Sequence, residues 1–294
     1  MNFIGDDRGF SFPGRERLKV DISQPGKKAQ PLIGYLQRSG IYLGLISLAA
    51  ALILWELATR YGGFTAYILP PPGQVWARFS LSVQDGSLLR HTAVTLLEIV
   101  LGLALGVSAA SLLGYLLAKS WSIERLLSPY IVASQSVPIV AIAPLLVIWF
   151  GPGLFSKVLI CALIVFFPVL VSMIVGLRSV PEELHDLMRS LQATRWQTAR
   201  YLEVPAALPV MLGGLRIGAT LAVIGAVVGE FAGSDRGLGF LINVGRGLYD
   251  TALVYVAVFA LILMALSLYG FVLMVERRLL SWQQRPDQPV LTTG

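Results

Sequence analysis

The stretch PEELHDLMRSLQATRWQTARYLEVPAALP, Pro181–Pro209, decides how this chain folds. It carries Glu182, Glu183, Asp186, Arg189, Arg195, Arg200 and Glu203 among residues that favour helix. On either side lie Leu154–Leu177 and Val210–Phe231, two strongly apolar runs. A helix rises about 1.5 Å per residue, so about 20 apolar residues cross the roughly 30 Å hydrocarbon layer of a bilayer. Each flank is long enough to do so. The charged stretch cannot share that layer, so it reads as a loop joining two crossings on one side of a membrane.

The rest of the chain fits that frame. Of 294 residues, 55% are hydrophobic and 14% charged, against about a quarter charged in soluble domains, and the mean hydropathy is +0.72. A soluble protein with a large core does not need apolar runs of this length. The reading is an all-α polytopic membrane protein with six crossings, at Ile41–Thr59, Ala93–Leu117, Tyr130–Phe150, Leu154–Leu177, Val210–Phe231 and Ala252–Val275. Residues 1–40 and 276–294 are polar tails. With no apolar h-region near Met1, the first crossing is expected to be an uncleaved anchor. In the connection 60–92, LPPPGQVW predicts a turn followed by a short surface helix over Ala77–Val83. Residues 232–251 are Gly-rich and half apolar, which predicts a dipping, irregular or interfacial segment.

Orientation follows from Lys and Arg, which concentrate on the cytoplasmic side. Six of the 23 (Arg60, Arg78, Arg90, Lys157, Arg236 and Arg246) fall on one side, Arg216 lies within a crossing, and the other sixteen share the opposite side with both tails. Both termini and the Pro181–Pro209 loop are therefore expected in the cytoplasm. The net charge of +6 has the same origin, and no nucleic-acid partner is inferred from it.

Within the loop, Pro181 suits a first helical turn, and Glu182 and Glu183 favour a helix N-terminus. Leu184, Leu187, Met188 and Leu191 recur at helical spacing and form one apolar face, with His185, Asp186 and Arg189 on the other side. A second helical piece runs from Thr194 to about Leu202 with Trp196 and Tyr201, and Pro205 is expected to break it. One reading is a helix lying on the anionic lipid surface. The other, which better explains a compact, mixed-charge segment tied to two crossings, is a docking surface for a soluble partner.

In the third crossing, PYIVASQSVPIVAIAPLLVIWFG, proline recurs at Pro129, Pro138 and Pro144, with polar Ser134, Gln135 and Ser136 beside them. Proline removes a helix hydrogen bond, and the freed carbonyls need a neighbour or water. The segment is either a kinked packing helix or the border of a water-accessible route. In the second case Ser134, Gln135, Pro138 and Pro144 would line the pathway.

The loop resembles the signature E-A-A-x3-G-x9-I-x-L-P of bacterial ABC importer permeases. Asp186 stands at the acidic position, Leu187 and Met188 at the alanines, Gln192 at the glycine, Leu202 at the isoleucine, and Val204 and Pro205 at the closing pair. Asp for Glu, bulky side chains for alanine and Gln for Gly are departures. The context RSLQATRWQ…VPAALP…GGLR resembles the nitrate/sulfonate/taurine branch, and the likeness runs from about Trp55 to Trp282. It includes VPIVAIAPLLVIWFG and VIGAVVGEFAGSDRGLGFLI. IAPLLVIWFG, IGAVVGEF and VERRLLSW look most like permeases for riboflavin or hydroxymethylpyrimidine.

The resemblance implies a type I importer transmembrane fold with a cytoplasmic coupling helix. It also implies two cytoplasmic ATPase subunits, an external substrate-binding protein and a second permease copy, expected as a homodimer in the bacterial cytoplasmic membrane. Leu184, Asp186, Leu187, Met188, Leu191, Gln192, Trp196 and Pro205 would then couple the permease to the ATPase. No G-x-x-x-x-G-K-[ST] occurs, so this chain is not expected to be the ATPase. No cofactor or metal is expected.

Other groups carry weaker signals. Glu56 and Glu276 lie near crossing ends, Glu98 suggests a structural role, and Arg216 is expected to snorkel or pair. Glu230 closes the fifth crossing, as a gate or docking contact or as a solvated interfacial acid. Gly213, Gly214, Gly218, Ala219, Gly225 and Gly229 suit close helix packing. His91, His185 and the lone Cys161 form no catalytic or metal-binding pattern. An ion-coupled secondary transporter would call for paired repeats and a midplane charge, and a membrane enzyme for a catalytic grouping. The sequence displays neither.

Overall fold

The computed structural model describes residues 30–63 and 65–281, the side chains of residues 30–41 and Leu45 excepted. Most of the expected N-terminal tail, and the end of the C-terminal one from Trp282, lie outside those residues. The described chain is helical and divides into two units, residues up to Leu54 and residues from Trp55. The first contains most of helix α1 (Gln30–Tyr61), whose described side chains from Tyr42 to Leu54 are exposed. Apolar exposure of that kind suits contact with lipid.

The second unit is built around α3 (Ser87–Lys119), α6 (Leu154–Arg178) and α9 (Val204–Ala232). These helices approach closely because glycine stands where they meet. A Cβ on Gly106 would lie 2.7 Å from Ala162 O, and one on Gly225 would lie 2.8 Å from Cys161 Cα. Gly214, Gly218 and Gly229 of α9 likewise face α6, whereas Gly213 faces open space. Ile99, Cys161, Val165, Leu170, Ala222 and Ala226 fill the seam. Between membrane helices lipid supplies no hydrophobic drive, so backbone approach of this kind is what holds them together.

Helix α11 (Thr251–Leu279) closes the bundle. Trp55 stacks on Tyr255 at 5.4 Å and donates Nε1–H to Pro70 O. The predicted surface helix is longer than Ala77–Val83. As α2 (Pro72–Gln84) it starts on prolines that need no backbone donor there, and Arg78 ties it to Asp250 at 2.8 Å.

Three sequence expectations change. The third crossing is not one kinked helix but two, α4 (Trp121–Gln135) and α5 (Ile139–Phe150), meeting at 93°. At about 1.5 Å per residue, 15 and 12 residues fall short of about 30 Å, so only the pair could cross. The cause is Pro138, which bars Val137 from helical geometry, while the Ser134 and Ser136 hydroxyls donate to Ile131 O and Val132 O. Pro129 and Pro144 are carried inside their helices.

Pro205 does not end the loop helix. The chain runs from α7 (Glu182–Ser190) through α8 (Arg195–Thr198) into a π-helical turn (Ala199–Glu203) and on into α9, which begins six residues before the expected Val210. Val204 N–H bonds to Ala199 O, five residues back, and this shift admits the proline without a break.

Of the dipping, irregular or interfacial alternatives expected for residues 232–251, the irregular one is removed, since the segment contains α10 (Leu238–Gly247). Leu238, Leu241 and Ile242 are buried on one face, and Gly245 meets Val254 of α11 where a Cβ would lie 2.8 Å away.

Candidate functional site

Two polar clusters occupy opposite ends of the three-helix core. Along α3 they are separated by the 21 residues from Glu98 to Lys119, about 30 Å at helical rise.

At one end lies the loop. Pro181 caps α7 with extended backbone, and Glu182 and Glu183 fill its first turn. Asp186 is exposed and pairs with Arg189 at 2.8 Å. Leu184, Leu187 and Leu191 are exposed, Leu191 at 68%, so this apolar face is left uncovered by the chain itself. Met188 and His185 turn partly inward. Gln192 follows the helix with φ 53° and is locked there as Ala193 N–H bonds to Met188 O. Thr194 and Gln197 form a reciprocal capping box that starts α8, leaving Trp196 71% exposed. Pro205 is half-buried at the start of α9.

Where α3 ends, Lys119 Nζ donates to Glu203 Oε1, with His185 Nδ1 3.8 Å from the same oxygen. Close by, Arg178 of α6 grips Glu124 of α4 through two bonds of 2.8 and 2.5 Å.

At the other end, Glu230 is buried rather than solvated, at 1% exposure. Its Oε1 accepts from Thr95 Oγ1 (2.6 Å) and its Oε2 from Gly239 N–H. Thr95 Oγ1 accepts in turn from Leu238 N–H (2.8 Å), and His91 Nδ1 from Gly237 N–H (2.9 Å). The carboxylate thus caps the N-terminus of α10, where helix dipole and free N–H groups favour an anion. Gly237 is required twice over: its φ is +110°, and a Cβ there would lie 2.0 Å from Glu230 Oε1. Lys157, counted from the sequence as an outer-side cation, is buried; its Nζ lies 3.0 Å from Glu98 Oε1 and donates to Ser234 Oγ. The approach to Glu98 is a charge contact rather than an aligned hydrogen bond. Residues of α3, α6, α9 and α10 therefore converge on one buried knot.

The remaining candidates stay apart. Ser134, Gln135, Pro138 and Pro144 are exposed at or near the α4–α5 corner, remote in sequence from Glu230 and not joined to it. Of these, Ser134 lines an open groove of about 620 Å³ between α3, α4 and α6, with Tyr130, Phe166 and Phe167 at its walls and no charged side chain. Arg216 pairs with Glu276 of α11 and lies over Tyr269, so of its two expected fates the structure has pairing. Among the described residues no group of three His, Cys, Asp or Glu is placed to hold a metal.

Residues 92–281 match the family described as binding-protein-dependent transport system inner membrane component. The chain belongs to that family. This importer permease is 44% identical over 261 residues to the riboflavin transport system permease protein RibX of Chloroflexus aurantiacus, covering 88% of this chain and 97% of that one. It is 36% identical over 234 residues to the formylaminopyrimidine transport permease protein ThiX of Halalkalibacterium halodurans, covering 80% and 93%. In fold it resembles a chain of the MetNI methionine ABC transporter, with a TM-score of 0.59 at 18% identity over 67% of this chain and 97% of that one. The type I importer fold that the sequence suggested is the fold observed.

Sequence reasoning missed several residues that tie the permease together. Lys119 and Glu203 are 84 positions apart, and Thr95 and Glu230 are 135 apart, so spacing alone could not join them. The usable signal was chemical: Glu98, Lys157 and Glu230 are charges within or beside apolar runs, which is costly unless they meet.

Proposed function

We propose that this permease carries a heteroaromatic vitamin or vitamin precursor, riboflavin first, across the cytoplasmic membrane in an ATP-driven importer. It works as a pair of copies, with two ATPase subunits beneath α7 and a solute-binding protein on the outer face. Both termini are cytoplasmic, as the Lys and Arg asymmetry favours. The observation that carries the reading is the exposed Leu184–Leu187–Leu191 face on α7. An apolar helix face held out of the lipid between two long crossings is what a soluble partner would cover.

ATP binding draws the ATPase subunits together and moves α7. A loaded binding protein favours the same state, so the two effects are reciprocal in binding free energy. The identity with the riboflavin permease supports the substrate class.

The test is uptake into vesicles holding permease, ATPase and binding protein. Riboflavin should accumulate with ATP inside, and Leu187→Arg with Met188→Asp should abolish ATPase pull-down while membrane insertion persists. Uphill uptake by the permease alone would make it an ion-coupled carrier and overturn the reading. Preference for taurine or another sulfonate over flavins and pyrimidines would overturn the substrate.

A further inference from the structure

A push on α7 reaches α6 and α9 through the backbone, because the loop is continuous with both. Helix α3 has no such connection to the loop, although it packs closely along α6. Among the described residues, the hydrogen bond joining the segment 179–203 to α3 is that of Lys119 with Glu203. The two partners differ sharply: the Glu203 side chain is 2% exposed and that of Lys119 is 45% exposed. Glu203 closes the π-helical turn, directly before α9 begins, and His185 of α7 stands 3.8 Å from the oxygen that Lys119 holds. One carboxylate, borne by the π-helical turn, therefore meets α3 and α7 at once. Its other oxygen, Oε2, is buried without a hydrogen-bond partner.

Two cavities, of about 230 and 680 Å³, open beside this junction, and Lys119, His185 and Glu203 line both. The acid is thus fixed on the chain side but has free space around it, as a moving joint requires. A π turn at such a place is uncommon in helices and frequent where they do work.

We propose that Glu203 is a positioning residue for coupling. It transmits displacement of α7 to α3 by holding Lys119, so that α3 moves with α6 and α9 when the ATPase closes. The inference rests on the reading of α7 as the ATPase-docking element. It adds that docking and transmission are carried by different residues.

The experiment uses the whole importer in vesicles and reads three quantities: ATPase pull-down, ATP hydrolysed per solute imported, and stimulation of hydrolysis by loaded binding protein. Glu203→Gln and Lys119→Gln should each leave pull-down within about twofold of wild type. Each should raise ATP consumed per solute at least about fivefold and flatten the stimulation. The double variant should lose no more than either single one, because both act through one contact, and Lys119→Arg should behave as wild type. If Glu203→Gln does not reach the membrane, Lys119→Gln, with its half-exposed side chain, carries the test. Wild-type stoichiometry in either glutamine variant overturns the proposal. So do losses that multiply in the double variant, or loss of pull-down in the single ones. Failure of wild-type permease to retain the ATPase would instead sink the docking reading.

Discussion

At the scale of single residues, Gln192 shows why a signature position is what it is. Its φ of 53° lies in the left-handed region, where any side chain is strained and glycine is not. The helix end imposes that conformation, since Gln192 N–H and Ala193 N–H close the last turn onto Arg189 O and Met188 O. The signature that the loop resembles has glycine at the matching position, a residue that this angle would suit. Gln192→Gly should therefore stabilise the permease by about 1 kcal/mol, the left-handed cost being removed. Thermal unfolding in detergent would register this as a higher midpoint. The departure from glycine was plain in the sequence. Its consequence was not, because a backbone angle is set by where the helix stops.

At the scale of elements, periodicity found long helices well and failed where chain chemistry cut across it. Apolar runs located α3, α6, α9 and α11 because length against bilayer thickness is a robust measure. The third crossing misled because apolarity continues unbroken through Pro138 while the helix does not. In residues 232–251 the glycines left an irregular course open beside a dipping or interfacial one, but Gly239 and Gly245 make room for Glu230 and Val254 within a regular helix. The same glycine has two meanings, and contact decides between them. Gly106→Ala should destabilise by about 1–3 kcal/mol, since the added carbon would meet Ala162 backbone, which cannot yield. Gly213→Ala has open space and should be neutral or stabilising by up to about 1 kcal/mol through helix propensity alone. Opposite signs in paired unfolding measurements would check the close packing of α3 on α6, and equal effects would refute it.

At the scale of the whole molecule, charge asymmetry predicts which end of the bundle meets the cytoplasm, and a labelling experiment can read it. Cys161 is the one cysteine of the sequence and is fully buried, so the folded permease offers a silent background for thiol reagents. Ser190→Cys should react with an impermeant maleimide only in inside-out vesicles, and Asp235→Cys only in right-side-out ones. The reverse pattern would invert the topology and remove the loop from the ATPase. Global class was legible because it depends on sums over many residues. The two polar knots were not, because each depends on a few partners brought together by the fold. The right-angled corner at Ser136–Pro138 has one more implication. Were that bend to lie inside a bilayer, it would expose peptide groups that oil cannot solvate, and a solitary copy adrift in lipid would need a mate or a trapped film of water to quench the elbow.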